Sequence, residues 1–237
     1  MKKSLLMLAC ALLLAFAMTA AVGAYEFLPG SDAVVYVNGT AGNDANSGKT
    51  PAAAVATPKK AQSLLPQGGT VVVSGATALT AAYNPDAVAG AVLYTSVYGG
   101  TDYRKTGAKL SVGNNMSFAN DTYFDNIELS ITKTNLFFAG KFHNFGFGAG
   151  VACKQAVTAA AFNSPVILAG VNAPQTLAAA SSDADFTLTI AGGTWRSFYG
   201  GNRRTSASQV LGKVSGNSYI RIEGGVFTGS GGEYASL

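Results

Sequence analysis

Hydrophobic residues make up 48% of the 237-residue chain and charged residues only 12%, against ~25% charged residues in a typical soluble domain. This hydrophobic content excludes a disordered chain, and Ser, Thr, Asn and Gly are left to cover the surface, as in extended all-β extracellular proteins. The formal net charge is +4, or 4 − 2 = +2 without the basic start at Lys2 and Lys3. The pairs Arg203-Arg204 and Arg104-Lys105 are too small for the basic face of a nucleic-acid-binding protein.

Residues 1–24 predict a secretory signal peptide. The basic start is followed by an apolar run from Leu5 to Met18 and by small residues at Val22 to Ala24, after which we expect cleavage. The apolar run is shorter than the ~20 residues of a transmembrane helix, and no later segment is apolar enough to span a bilayer. We therefore expect a protein that is secreted or held at the cell surface, with residues 25–237 forming one domain.

The mature chain opens with one strand and one helix. Ala33 to Val37 is rich in β-branched residues and predicts a short strand. Thr57 to Leu65 predicts a helix, because Thr57 can cap its start and Pro58 suits the first helical position. Apolar residues fall at helical spacing along it and give one apolar face. This is the one segment of the mature sequence with a convincing helical pattern.

The loop between that strand and that helix, residues 42–51 (GNDANSGKTP), carries parts of two ligand motifs. Asp44 and Asn46 alternate as at the start of a calcium-binding EF-hand loop, but the twelfth position is Val55 instead of glutamate. SGKT is similar to the end of a phosphate-binding loop, but the first glycine of that motif is missing and Pro51 follows. We predict that the loop forms turns, with calcium at Asp44 and Asn46 as the alternative.

Beyond the helix, short strand patterns are separated by Gly or Asn. No helical pattern of ordinary length lies between them, which argues against an α/β sheet with crossover helices. The single Asn-Gly hairpin signal, Asn38-Gly39, has no clean second strand after it. The predicted strands cover residues 70–74, 91–94, 109–112, 122–129, 136–139, 165–168, 185–190 and 218–222.

An internal repeat indicates the architecture. FTLTIAGGTW at 186–195 matches SYIRIEGGVF at 218–227, with an offset of 222 − 190 = 32 between Ile190 and Ile222 and between Trp195 and Phe227. A second glycine pair recurs at residues 200–201 and 231–232. A period of this length, with strands but no helix in the unit, predicts an all-β solenoid whose interior holds columns of Ile and of aromatic residues. The doubled glycine is expected where the chain turns sharply.

Residues 36–75, from YVNGTAG to TVVVSG, resemble the entry segment of secreted bacterial right-handed parallel β-helix proteins of the pectin-lyase-like superfamily. TYFDNIELSI at 122–131 resembles their internal coils, and the resemblance covers most of residues 33–232. It implies a right-handed parallel β-helix in which the helix caps the N-terminal end against edge-to-edge association. No comparable cap is present at the C-terminus, so we expect a fragment, or an end covered by further chain or another domain.

The resemblance also implies a possible activity, because enzymes of this superfamily are mostly polysaccharide lyases and glycoside hydrolases. A lyase would use an acidic calcium cluster with an Arg or Lys base, and a hydrolase would use paired carboxylates. The candidate acids are Asp121 with Asp125 and Asp183 with Asp185, which we interpret as solvated turn and strand residues. Arg203-Arg204 would suit a uronic acid but is interpreted as a solvated loop.

The remaining candidates are one histidine, one cysteine and several aromatic residues. His143 has no evident orienting partner in the sequence, and with Cys153 alone it cannot complete a zinc site. Cys153, the only cysteine outside the signal peptide, forms no intrachain disulfide and is interpreted as a small buried residue. Sugar rings can stack on aromatic side chains, and the four candidates are Tyr98, Tyr103, Trp195 and Tyr199.

These aromatic candidates lead to the predicted function. Trp195 aligns with Phe227 in the repeat and is assigned to the core, whereas Tyr103 and Tyr199 lie near basic residues and are the predicted ligand-binding residues. No catalytic residue and no metal ligand is predicted. We expect a non-enzymatic exported β-helix protein for adhesion or for contact with an extracellular polysaccharide or cell-wall glycan. The alternative is a polysaccharide lyase or glycoside hydrolase.

Overall fold

The computed structural model of the chain describes residues 26–79, 87–133, 136–155, 165–170, 184–201 and 215–228. Several predictions fall on other residues and lie outside that description: the signal peptide at 1–24, Asp183, Arg203-Arg204 and Gly231-Gly232. Within the described ranges, no helix is long and apolar enough to cross a membrane.

Short strands dominate the described residues, with one α-helix, α1 (Pro58–Ser63), and two 3₁₀ segments, Pro51–Ala53 and Tyr103–Thr106. The helix lies where the sequence predicts it, and the Thr57 side chain accepts a hydrogen bond from the backbone N–H of Lys60. The strands are β1 (Val34–Val37), β2 (Gly69–Val73), β3 (Ala76–Leu79), β4 (Val92–Thr95), β5 (Val97–Tyr98), β6 (Thr101–Asp102), β7 (Lys109–Val112), β8 (Met116–Ser117), β9 (Thr122–Phe124), β10 (Glu128–Ile131), β11 (Phe137–Ala139), β12 (Phe145–Phe147), β13 (Ala152–Gln155), β14 (Val166–Leu168), β15 (Phe186–Ile190), β16 (Thr194–Trp195), β17 (Ser197–Tyr199), β18 (Ser218–Ile222) and β19 (Val226–Phe227).

Nearly all the strands pair in parallel, in three main sheets. The first sheet has the order β1-β2-β4-β9-β12-β15-β18, the second β3-β7-β10-β13 and the third β8-β11-β14-β17, and β16 pairs with β19. Neighbouring strands of one sheet are separated along the chain by strands of the other sheets or by helix α1. The prediction of a mainly β protein with very few helices is therefore confirmed, and its sheets are parallel.

One column of side chains runs along the inward face of the first sheet. The rings of Tyr94 and Phe124 stack with centroids 5.2 Å apart, and those of Phe124 and Phe147 stack at 5.4 Å. Stacking of this kind adds to the large apolar area that each ring buries. The column consists of Val35, Val71, Tyr94, Phe124, Phe147, Ile190 and Ile222, each in register with the next.

The sequence repeat corresponds to two neighbouring units of this arrangement. Ile190 pairs with Ile222 in the first sheet, and Trp195 pairs with Phe227. Trp195 is fully buried, as predicted, and its Nε1–H donates to the Gly192 carbonyl at 2.8 Å. The offset of 32 residues is therefore the length of chain between two stacked units.

The two glycines of the repeated pair are needed for different reasons. Gly193 has φ +88°, which side chains with a Cβ rarely adopt. Gly192 has an ordinary φ, but a Cβ there would lie 2.3 Å from the Gly148 carbonyl oxygen of the neighbouring unit. The first glycine permits close stacking and the second permits the turn.

The N-terminal edge of the first sheet is closed by the loop that precedes α1. Tyr36 N–H donates to the Gly48 carbonyl at 2.7 Å, Asn38 N–H donates to the Val55 carbonyl at 2.8 Å, and Val55 N–H donates to Tyr36 at 3.0 Å. Helix α1 then buries Ala61 against the core. The backbone edge of β1, which would otherwise be open to pairing with another strand, is thus satisfied within the chain.

Buried hydrogen bonds between side chains attach α1 to the first sheet. The Gln62 side chain, 1% exposed, donates from Nε2 to Asn120 Oδ1 at 2.8 Å and accepts from the Tyr94 hydroxyl at 2.8 Å. Tyr94 lies on β4, and Asn120 lies just before β9. One helical side chain therefore connects the cap to two successive strands of the first sheet.

Residues 26–31, called the leader, precede β1 and cross the outward face of the same sheet. Phe27 is buried, and its ring stacks on that of Tyr123 with centroids 4.6 Å apart. Gly146 lies beneath it, and a Cβ there would come within 2.4 Å of the Phe27 ring. Gly30 N–H also donates to the Ala91 carbonyl at 2.8 Å. The leader is therefore packed against this face.

Candidate functional site

A hairpin inserted between β4 and β7 departs from the parallel pattern. Its strands, β5 and β6, pair antiparallel, with Val97 opposite Asp102 and Tyr98 opposite Thr101. Gly99 and Gly100 form the two-residue turn with φ +57° and +78°. Positive φ at both central positions is what a type I′ hairpin turn requires, and Gly-Gly meets it as Asn-Gly does. Because the turn is Gly-Gly and not Asn-Gly, this hairpin was not predicted from the sequence.

The hairpin helps to bring three tyrosines together on the outward side of the first sheet. The ring of Tyr36, on β1, lies 6.4 Å from that of Tyr98 and 6.3 Å from that of Tyr103, with interplanar angles of 84° and 79°. Both are edge-to-face contacts, which the aromatic quadrupole favours. These residues are called the tyrosine cluster below.

Local structure explains how the tyrosine cluster forms. Val35 and Val37 of β1 point into the core, so Tyr36, between them, faces outward. Tyr98 is carried by β5 and remains 40% exposed, whereas Tyr103 begins the 3₁₀ segment that follows β6. The cluster therefore combines one residue of the sheet with two residues of the inserted segment.

The hydroxyl groups of the cluster interact as well as its rings. Burial, together with a side-chain hydrogen bond to Tyr103, raises the pKa of Tyr36. The Tyr36 phenol is therefore uncharged at physiological pH. The cluster consequently presents apolar ring surface together with hydroxyl groups that can donate and accept hydrogen bonds.

An ion pair holds the inserted segment in place. Arg104 donates from Nε to Asp102 Oδ1 at 2.8 Å and from Nη2 to Oδ2 at 2.9 Å, a two-point contact between guanidinium and carboxylate. This contact lowers the pKa of Asp102 and raises that of Arg104. Arg104 Nη1 also reaches the Gly150 carbonyl at 3.4 Å. Arg104 therefore positions the 3₁₀ segment that carries Tyr103.

The predicted acid pair Asp121 and Asp125 lies at opposite ends of β9, and each carboxylate accepts hydrogen bonds from the protein. Asp121 accepts from Asn144 N–H at 2.9 Å and from Asn144 Nδ2 at 2.8 Å. Asp125 accepts from the backbone N–H groups of Asn126 at 2.8 Å and Gly150 at 3.0 Å. Four residue steps of ~3.3 Å separate their Cα atoms by about 13 Å. Both side chains therefore support neighbouring turns.

Asp185, the described member of the second acid pair, has a similar role. Its carboxylate accepts from Asn217 N–H at 2.7 Å and from Asn217 Nδ2 at 3.1 Å. The backbone and side-chain hydrogen bonds from Asn217 lower the pKa of Asp185. This carboxylate links β15 to β18, which lies next to it in the first sheet.

His143 lies beside the Asp121 carboxylate, at a distance too long for the hydrogen bond that an orienting partner would make. Its Nδ1 lies 3.9 Å from Asp121 Oδ1, a contact between residues 22 positions apart that no local pattern indicated. Burial lowers the pKa of His143, although the Asp121 carboxylate opposes that shift. Because Asp121 is already hydrogen-bonded to Asn144, the histidine packs beside a structural carboxylate.

Tyr199 lies apart from Tyr103 in the structure. It ends β17 in the third sheet and packs against a buried apolar group made of Ala139, Val166 and Leu168. Of the two predicted ligand-binding residues, Tyr103 alone belongs to the tyrosine cluster. Tyr36 was missed because a strand tyrosine gives no sequence signal that it faces an inserted hairpin.

The two residues considered for calcium binding, Asp44 and Asn46, have hydrogen-bond partners within the protein. The Asp44 carboxylate accepts from the N–H groups of Ala56 at 2.8 Å and Thr57 at 2.9 Å, and Asn46 Nδ2 donates to Ala54 at 2.9 Å. Calcium at Asp44 and Asn46 remains a prediction. Across the described ranges, no group of three or more His, Cys, Asp or Glu residues is placed to hold a metal.

Cys153 is not poised as a nucleophile. Burial raises the pKa of its thiol to about 11, although a hydrogen bond from the Thr194 backbone opposes the shift. A reactive cysteine needs the opposite displacement, because the thiolate is the reactive form. Cys153 packs against the core but is only partly buried, so the interpretation as a small buried residue is correct only in part.

No protein-family model, curated protein or solved structure matches the chain.

Proposed function

We propose that the chain is an exported right-handed parallel β-helix protein that contacts extracellular polysaccharide or cell-wall glycan, without catalysis, through the tyrosine cluster. The three parallel sheets and the in-register inner column support the β-helix, because each return of the chain places a strand beside its predecessor. Right-handed crossovers are the rule for parallel connections. The signal-like sequence of residues 1–24 supports export.

The single observation that carries the function is the tyrosine cluster. A sugar ring presents apolar C–H faces and a rim of hydroxyl groups, and a tyrosine offers an apolar ring with a polar tip. Tyrosine also loses little conformational entropy on binding, since two torsions fix it. Tyr98 is 40% exposed on a tight hairpin, so its ring surface is already presented to solvent.

The charges beside the cluster favour a neutral glycan over a uronate polymer. Arg104 directs Nε and Nη2 at Asp102, so binding a uronate there would compete with an existing two-point contact. The carboxylate of Asp102 itself would repel an anionic chain. A hexose-based or amino-sugar polymer without carboxylates fits this surface better.

The acidic residues fit the enzymatic alternative less well than they fit a binding role. A general acid works with a raised pKa, whereas the displaced carboxyl pKa values, at Asp102 and Asp185, are both lowered. Asp121 and Asp125 each accept hydrogen bonds from backbone N–H groups and are occupied in holding neighbouring turns. These observations support a binding role.

A glycan screen followed by calorimetry tests the proposal. The chain spanning residues 25–237 is screened against neutral and acidic glycans, and the best ligand is titrated into Tyr98→Ala and Tyr103→Ala. Each substitution removes one stacking ring, and we expect affinity to fall roughly tenfold or more, which corresponds to about 1.4 kcal/mol. Tyr219→Ala is the matched control, because Tyr219 is 54% exposed and lies on β18.

Two results would overturn the proposal. One is glycan binding that survives both cluster substitutions unchanged. The other is turnover: release of unsaturated products or reducing ends from pectin or alginate, with calcium present, that is lost in Asp121→Asn or Asp125→Asn. The second result would establish the lyase or hydrolase alternative.

A further inference from the structure

Tyr36 contacts both of the other rings in the tyrosine cluster. Its ring centroid lies 6.3 Å from that of Tyr103 and 6.4 Å from that of Tyr98. Tyr36 and Tyr103 also share a side-chain hydrogen bond. In a phenol, the ortho carbons flank the carbon that carries the hydroxyl group. A hydrogen bond between two phenols therefore brings ortho carbons of the two rings near each other, and these are the carbons at which tyrosyl radicals join.

The backbone on both sides of this contact is held by the fold. Tyr36 lies within β1, which pairs in parallel with β2. Tyr103 N–H donates to the Ser96 carbonyl at 2.8 Å, and the next residue, Arg104, makes its two-point contact with Asp102. The rings of Tyr36 and Tyr103 meet at 79°, and the two rings of a biaryl are also twisted against each other. Side-chain rotation is therefore the main movement that coupling of these two rings requires.

We propose that Tyr36 and Tyr103 are an oxidative modification site, at which a peroxidase-class oxidant with hydrogen peroxide joins them into an intrachain dityrosine. The proposal rests on the geometry of the tyrosine cluster and does not depend on glycan binding.

Tyr98 supplies the accessible ring for the oxidant. It is 40% exposed, whereas Tyr36 and Tyr103 are partly buried. The oxidant takes one electron and the phenolic proton from Tyr98, and the resulting radical takes an electron and a proton from Tyr36 across the ring contact. The Tyr36 radical does the same to Tyr103 through their shared hydrogen bond. A first oxidation therefore ends on Tyr103 and a second on Tyr36.

The coupling step balances with one peroxide. The two oxidations release two electrons and two protons, which with the peroxide give two molecules of water. A carbon–carbon bond then forms between ortho carbons of the two radicals. The hydrogen on each of these carbons moves to the phenol oxygen of the same ring, which restores both aromatic rings and both hydroxyl groups. The product is lighter than the starting chain by two hydrogen atoms.

The cross-link would tie the inserted segment to the first sheet. It closes a loop of 103 − 36 = 67 residues, and a covalent bridge stabilises a fold mainly by restricting its unfolded chain, more so for a long loop. Residues 25–237 contain one cysteine, Cys153, so they cannot form an intrachain disulfide. Tyrosine coupling offers this chain a covalent tie of a different chemistry.

Peroxidase treatment of the dilute chain spanning residues 25–237 tests the proposal. We expect dityrosine fluorescence in the monomer, a mass loss of two hydrogen atoms, and a digest in which the peptide of Tyr36 is joined to that of Tyr103. The cross-linked monomer should unfold at a higher guanidinium concentration. Tyr36→Phe and Tyr103→Phe keep the rings but lack a phenol to oxidise, so each should abolish this product, and Tyr98→Phe should slow its formation.

Tyr219→Phe is the matched control, because Tyr219 is 54% exposed on β18, at the other end of the first sheet from β1. It should leave the intrachain product unchanged. Fluorescence of the buried Trp195 verifies that each variant is folded. The proposal would be overturned by the absence of an intrachain cross-link, by one that joins Tyr36 to Tyr98, or by coupling between chains alone. Glycan binding is measured without oxidant, so each of the two proposals can fail while the other stands.

Discussion

The buried amide of Gln62 gives the sharpest stability prediction, and Gln62→Met is the change that isolates it. Methionine keeps the side-chain length but removes the donor to Asn120 and the acceptor for Tyr94. Each buried polar group left without its partner costs about 1–3 kcal/mol, so two such groups cost roughly 2–6 kcal/mol. Relaxation and water entry favour the lower half of that range, and we expect a loss of about 2–4 kcal/mol.

Guanidinium unfolding measures this loss. Trp195, the single tryptophan, is fully buried, so its fluorescence reports unfolding of the core. Gln67→Met is the control at an exposed glutamine, where the free energy of unfolding should change by less than about 0.5 kcal/mol. The double variant Gln62→Met with Tyr94→Phe also removes the hydroxyl that donates to Gln62 and should be no less stable than Gln62→Met alone. A loss below about 0.5 kcal/mol for Gln62→Met would refute the reasoning.

Three further predictions concern single residues. Burial lowers the pKa of His143 from its ordinary 6.5, so the unfolded chain takes up a proton on this imidazole at higher pH than the folded chain does, and stability falls as pH drops below 6.5. In an NMR titration, Asp121→Asn should lower the pKa of His143 further, because the carboxylate that opposes the shift is removed. A rise in this pKa would contradict the contact between the two side chains. Raising the thiol pKa from 9.0 to about 11 lowers the thiolate fraction at pH 8 about 100-fold, and the stronger nucleophilicity of the more basic thiolate offsets part of this. Alkylation of Cys153 should therefore be about tenfold slower than that of an ordinary thiol, and an equal rate would show an open site. The Cβ of Gly192→Ala would lie 2.3 Å from a backbone atom, whereas the Cβ of Gly99→Ala would have no atom within 4 Å. Thermal unfolding should therefore show a larger loss of stability for Gly192→Ala than the ~1–2 kcal/mol that backbone strain costs at Gly99. Equal losses of stability would argue against close stacking at Gly192.

The parallel β architecture was largely predictable because its signals are local or repeated. Thr57 and Pro58 predict the start of α1, and in the structure Thr57 caps the helix and Pro58 takes its first position. The stacking of Ile190 on Ile222 follows from the 32-residue offset, since repetition converts a long-range contact into a visible pattern. Where the repeat is only loosely kept, as before residue 186, register could not be read from the sequence.

The candidate site was only partly predictable because its residues come together through tertiary structure. Tyr103 drew attention through its neighbour Arg104, but that arginine turns to Asp102. Tyr36 lies more than sixty residues before Tyr98 along the chain, and nothing in a short strand shows that a hairpin will fold over it. The contact of His143 with Asp121 was missed for the same reason.

Tyrosine ring resonances during a glycan titration test the proposed function most directly. With rings labelled in the chain spanning residues 25–237, binding at the tyrosine cluster should shift the signals of Tyr36, Tyr98 and Tyr103 together along one saturation curve, while Tyr219 stays in place. Saturable glycan binding that leaves the three cluster signals unmoved, or that shifts Tyr219 instead, would contradict the tyrosine cluster as the site of contact.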